Sequence, residues 1–185
     1  MLLLRHGQSE FNLHFSRTRI DPGIEDPHLT PLGHEQAERA AVELAGAGLR
    51  RIVVSPYTRA LQTAAPIARA LDLPVFVTTA VRERYAFACD VGSPRSALMQ
   101  SWPAHDFAAI EERWWPTVEE PIEGVLERAA RFRTEWSART DWAGTLVISH
   151  WGFILSLTGR SIGNGEHVGY DPTAPAPAEV VWKHH

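Results

Sequence analysis

Leu2-Leu3-Leu4-Arg5-His6 is where the fold is decided: three apolar residues run without alternation and stop on a cation and an imidazole. A half-exposed strand alternates apolar and polar residues, so a continuous run predicts a short strand covered on both faces. Three further runs share the pattern: Ile52–Val54, Val75–Val77 and Leu146–Ile148. Val180–Trp182 is a weaker fifth.

Helical patterns lie between the runs. Thr30-Pro31 reads as an N-cap followed by proline at the first helical position, and Ala37, Ala40, Ala41, Leu44 and Ala45 then recur on one face. Ser55-Pro56 repeats that cap chemistry and opens a helix with Ala60, Ala64, Ile67, Ala68 and Leu71 inward, kinked at Pro66. Glu123–Thr140 is a third helix, with Val125, Leu126, Ala129, Phe132 and Trp136 as its buried stripe. Strands alternating with helices predict an α/β fold, a three-layer sandwich around a mostly parallel sheet. Asn12–Pro27 and Tyr85–Pro121 lack clean periodicity and read as long loops, which in a compact domain tend to be functional.

The chain has 185 residues, 44% hydrophobic and 22% charged, enough for one domain spanning 1–185 with a full core. Residues 183–185 are set apart, His184 and His185 reading equally as native or as the stub of a tag. A net charge of −4 supplies no global field for nucleic acid or a membrane surface. No window approaches the ~18 apolar residues of a span, and the opening run is too short for a signal, so the expected address is the cytoplasm. The single cysteine, Cys89, precludes an intramolecular disulfide and reads as a small buried hydrophobe. Monomer and homodimer are equally compatible with the sequence.

The chemistry collects just past the strands. Arg5 and His6 follow the first, Ser55 and Arg59 the second, Glu83 comes shortly after the third, and Ser149-His150 follow the fourth. Carboxyl ends of parallel strands form the ligand crevice of an open α/β sheet, so two histidines, two arginines and a glutamate should converge on one edge. Such a cluster has the charge to hold a phosphate dianion and a carboxyl group to move a proton.

The motifs resemble those of the histidine phosphatase superfamily, also called phosphoglycerate mutase-like. Arg5-His6-Gly7-Gln8-Ser9-Glu10-Phe11-Asn12 is similar to its opening signature, and the likeness continues through Asp26–Gly33 and Gln36-Ala37. Ser55–Ala64, Arg82–Tyr85 and Ser149-His150 complete it. Arg-His-Gly alone would be weak, but four ordered motifs at strand ends are specific. The resemblance implies phosphomonoester hydrolysis through a phosphohistidine on His6, with no metal and no cofactor, on a small phosphorylated substrate. Arg5, Arg59 and His150 would hold the phosphoryl group, helped by Asn12 and the backbone amide of Trp151. A backbone carbonyl near Gly7 would fix the His6 tautomer. Glu83 would be the general acid and base, with Asp90 in reserve. One departure stands out: relatives place glycine directly after the second histidine, and here Trp151 intervenes before Gly152.

Plainer readings compete. Glu83 lies between Arg82 and Arg84 and could be a solvated ion pair; Gln8 and Ser9 could be loop chemistry instead of phosphate donors. His14, Arg17 and Arg19 could meet a second anion or be a solvated charged loop. Trp102, Trp114 and Trp115 read as a satellite core or as a cleft wall. Gly163-Asn164-Gly165 fails the dinucleotide template and reads as a loop. A mutase returning the phosphoryl group to a second hydroxyl, and a non-catalytic phospholigand-binding module, are the alternative functions. A metal site lacks ligand-type spacing.

Overall fold

The structure, a computed structural model, describes residues 1–182; the expectation for 183–185 lies outside the described residues. The four strong runs are strands: β1 Leu2–Arg5, β2 Arg51–Val54, β3 Val75–Val77 and β4 Thr145–Ser149. The described residues form a five-stranded sheet in the order β3-β2-β4-β1-β5, parallel except for β5, His167–Gly169, which pairs antiparallel with β1. The weak fifth run is therefore corrected. Val180–Trp182 form no strand, and the edge is taken by a three-residue segment whose side chains alternate exposed, buried, exposed. An edge strand covered on one face needs only one inward residue, here Val168, and so leaves almost no signal in a sequence.

Six α-helices occur among the described residues: α1 Glu10–Thr18, α2 Pro31–Glu43, α3 Thr58–Leu71, α4 Arg95–Ser101, α5 Ile122–Ser137 and α6 Trp151–Thr158. Alternate residues of each strand feed two cores. Leu4, Ile52, Val54, Leu146 and Ile148 pack under α2 and α3; Leu3, Val53 and Val147 pack under α5 and α6. This is the three-layer α/β sandwich, and burying each such side chain is worth about 1.5–3 kcal/mol. Trp114 is buried in the first core with Trp102 and Trp115 packed against it, so these tryptophans form the satellite core and line no part of the cavity described below.

Both supposed loops contain helices. Ser9 caps α1 with its hydroxyl, while Asn12 reaches back to the Ser9 amide, a capping box with Asn in place of the usual Glu or Gln. Phe11 and Phe15, four residues apart, share one face of this helix. The second segment holds α4. Thr30 caps α2 as its sequence suggests, although Ala45 is exposed beyond the helix end. The expected Ser55 cap does not form. The residue before α3 is Tyr57, which makes no side-chain cap, and Pro66 lies inside a helix that continues to Leu71.

Candidate active site

Parallel pairing of β2, β4 and β1 brings their carboxyl ends together. The His6 amide donates to the Ser149 carbonyl at 3.0 Å and the Ser55 amide to the Ile148 carbonyl at 3.2 Å, so the three strand ends are stitched before any side chain acts. Above this edge lies a cavity of about 400 Å³, within the ordinary range for small-molecule sites. Arg5, His6, Arg59, Glu83 and Asp90 line it, as do Gln8, Ser9, Asn12 and Trp151.

His6 is 3% exposed, and its Nδ1 lies 2.7 Å from the Gly7 carbonyl. A carbonyl can only accept, so Nδ1 carries the proton and Nε2 keeps its lone pair. Burial, then the Arg59 and Arg5 charges, hold this imidazole well below its usual pKa, so it is neutral. The loop is pressed onto α2: a Cβ at Gly7 would stand 2.4 Å from the Gly33 carbonyl oxygen, and one at Gly33 would stand 2.1 Å from the Gln8 oxygen. Only glycine at both positions permits that approach. Thr63 accepts from the Gly7 amide at 3.0 Å, and Asn164, from the glycine-flanked loop, donates to the His6 carbonyl at 3.0 Å and to Asn12 Oδ1 at 3.1 Å.

Arg59 is buried and Arg5 half-buried. Arg59 donates to the Cys89 carbonyl at 2.7 Å and to Asp90 Oδ1 at 3.2 Å. Arg5 gives Nη1 to the Ile162 carbonyl at 2.9 Å, while its buried Nε has no partner. Burial brings its pKa down to about 10, which leaves it charged at neutral pH. His150 is fully buried behind His6, ring centroids 5.0 Å apart. Its Nε2 meets the Ser55 hydroxyl at 2.8 Å, and its buried Nδ1 is unpartnered. Burial and then Arg59 keep it neutral as well.

The ion-pair reading of Glu83 fails. Arg82 turns to Glu120 at 2.7 Å and Arg84 pairs with Glu119. Glu83 instead accepts the Arg84 amide at 2.8 Å and the Gly152 amide at 3.0 Å, and it faces the cavity. Arg128, unnoticed in the sequence, is buried beneath this segment and donates to the Arg82 carbonyl at 2.7 Å and to Glu120 at 2.9 Å. Asp90 is more deeply enclosed, accepting the Ala86 and Phe87 amides at 3.0 and 3.1 Å; burial lifts its pKa to about 6.

Ser9 gives its amide and hydroxyl to Asn12 Oδ1, at 3.1 and 3.0 Å, so both donors are already engaged. The Gln8 amide goes to Gln36 at 2.7 Å, and its side-chain oxygen accepts from Thr30 at 2.9 Å. Asn12 accepts through Oδ1, which leaves Nδ2 as the end able to donate. The Trp151 indole donates to Ser161 at 2.8 Å. Of the basic cluster, Arg19, just past the end of α1, borders the cavity, while His14 and Arg17 on the helix do not. Asp26, which the sequence offers only as the start of a motif, anchors α3. Its carboxylate accepts the Thr58 amide at 2.9 Å and hydroxyl at 2.7 Å, capping α3 from 32 residues away, one residue before Arg59. Cys89 is buried and its thiol pKa is raised by burial, as suits an inert side chain. Among the described residues no cluster of three His, Cys, Asp or Glu could hold a metal, and no helix is long and apolar enough to cross a membrane.

Past its strand ends the α/β sheet thus gathers two neutral imidazoles, the buried Arg59 and half-buried Arg5 guanidiniums and the Glu83 carboxylate, with His150 enclosed behind the residues that line the cavity. The model of the histidine phosphatase superfamily (branch 1) matches residues 1–180, and the chain belongs to that family. It is 29% identical over 178 residues to a glucosyl-3-phosphoglycerate phosphatase of Mycolicibacterium vanbaalenii, covering 88% of this chain and 74% of the relative. It is 26% identical over 183 residues to the adenosylcobalamin/alpha-ribazole phosphatase of Escherichia coli, covering 97% and 81%. A mycobacterial glucosyl-3-phosphoglycerate phosphatase solved with VO3 superposes with a TM-score of 0.63 over 90% of both chains at 24% identity, a likeness of fold.

Proposed function

We propose that this chain hydrolyses phosphate monoesters through a phosphohistidine on His6. The observation that carries the reading is a neutral imidazole whose Nδ1 proton is committed to Gly7, leaving Nε2 unprotonated at a cavity bordered by the Arg5 and Arg59 guanidiniums and Glu83. The reading is supported by the phosphatase relatives, which match over most of the chain.

His6 Nε2 attacks phosphorus in line. The N–P bond forms as the ester P–O bond breaks, and Glu83 gives its proton to the leaving oxygen. Arg5, Arg59 and the His150 Nδ1 hold the equatorial oxygens and absorb developing charge, joined by Asn12 Nδ2 and the amide of Trp151. Water then attacks the phosphohistidine, Glu83 takes its proton, and inorganic phosphate leaves. No step calls on a metal, because the arginines carry the charge stabilisation. The unpartnered Arg5 Nε and His150 Nδ1 support this assignment, since buried polar atoms without partners are rare and costly.

The test is a rapid quench, avoiding acid, with a labelled monoester in the presence of chelator. Label trapped on His6, and no turnover by a folded His6→Ala protein, are the expected results. Wild-type turnover by His6→Ala, or label on another residue, overturns the nucleophile. Label passed to a second hydroxyl with no phosphate released assigns a mutase. Activity lost in chelator and restored by a divalent ion assigns a metal-dependent reaction.

A further inference from the structure

Away from His6 the cavity changes character. Gln8, Ser9 and Asn12 accompany the phosphoryl end, whereas five aromatic rings dominate the rest, with Ser16, Arg19, Arg84 and Ser161 at their margins. Phe11 and Phe15 stack with centroids 5.1 Å apart and planes 15° apart, and Phe87 tilts against them at 5.5 and 5.1 Å. Trp151 and Trp182 make a second wall, edge to face at 5.3 Å and 88°. Trp182 arrives on the irregular segment after β5, and its ring sits close over α6: a Cβ on Gly152 would stand 2.9 Å from Trp182 Cη2. Trp151 Nε1 is bound to Ser161, and Trp182 Nε1 is buried without a partner.

Walls of this kind select by shape and desolvation. Against the ring faces themselves a polyhydroxylated leaving group would shed water without finding a donor or acceptor there. A flat apolar ring would gain burial and edge or face contacts on both sides. We infer that the physiological substrate is a monoester whose leaving group carries a planar apolar ring, and that the phenylalanine wall and the Trp151–Trp182 wall are its specificity determinants. The inference rests on the phosphoryl seat at His6 assigned above.

Benzyl phosphate and glycerol 3-phosphate test it, since both release alkoxides and differ in the ring. The benzyl ester should be favoured at least about tenfold in kcat/KM, through KM. Trp182→Ala should erase that preference while changing glycerol 3-phosphate turnover less than about twofold; Trp182→Phe should restore most of it. Thermal melting confirms that Trp182→Ala is folded, and Phe15→Ala removes the other wall independently. Calorimetric binding of benzylphosphonate against methylphosphonate reads the walls without turnover. Equal affinity for the two phosphonates, or an equal loss with both esters in both variants, overturns the inference and leaves the phosphatase reading standing. Selective benzylphosphonate binding with no ester turnover sustains the ring site and removes the phosphatase reading.

Discussion

Each oxygen of the Glu83 carboxylate accepts one backbone N–H, from Arg84 and from Gly152, and neither neighbouring arginine pairs with it. A carboxyl held by amides at the cavity wall can exchange a proton without breaking an ion pair. Gly152 makes this possible, because a Cβ there would stand 2.5 Å from Glu83 Oε1. The glycine displaced by Trp151 thus serves the carboxylate from one position later. If Glu83 is the acid, Glu83→Gln should cost about 10²–10⁴-fold with alkyl phosphates, the usual worth of a positioned acid. Nitrophenyl phosphate should suffer far less, since its leaving group departs without a proton, and a burst of nitrophenol should appear as dephosphorylation becomes limiting. Equal loss with both esters and no burst would move the role to Asp90.

At the scale of elements, α3 depends on a residue outside it. Its own N-cap, Tyr57, makes no side-chain cap, and Ser55, which looks like one, is spent on His150. Asp26 supplies the carboxylate instead and also receives the Ser93 hydroxyl at 2.6 Å, tying together α3 and the segment around Asp90. It does so from a positive φ of 38°, a conformation Asp and Asn tolerate better than most residues. Asp26→Ala should lower stability by about 1–3 kcal/mol, because buried donors lose their acceptor. It should also weaken inhibition by phosphate, since Arg59 is the second residue of the helix. Urea unfolding and phosphate titration check both, with Asp26→Asn recovering part of the loss. An unchanged urea midpoint in Asp26→Ala would show the cap to be idle.

Across the whole molecule, enclosing two neutral histidines behind the strand ends links stability to pH. Burial, then nearby arginines, hold His6 and His150 well below the unfolded imidazole value near 6.5. Their contribution is therefore complete above about pH 6.5 and is lost as pH falls, when the unfolded chain takes up protons that the fold refuses. Each should cost about 1.4 kcal/mol per pH unit in that range. Asp90, lifted by burial to about 6, works in the opposite sense, contributing stability at low pH that is lost as pH rises through 6. His6→Gln isolates one imidazole: its urea midpoints between pH 7.5 and 5 should fall less steeply than wild type, and identical slopes would count against a neutral His6. Arg5, His6, Arg59 and His150 were legible as a group from the chain alone, because a buried strand announces itself through consecutive apolar residues and its ends follow within a few positions. Local spacing could not reveal the partners of Glu83, the cap of α3, the edge strand β5 or the seat of Trp182. The decisive contacts there join residues far apart in sequence, 69 positions from Gly152 to Glu83 and 158 from Asn164 to His6. A side chain's identity states what it can bond to, and only the packed fold selects which of the many chemically equivalent partners comes within reach.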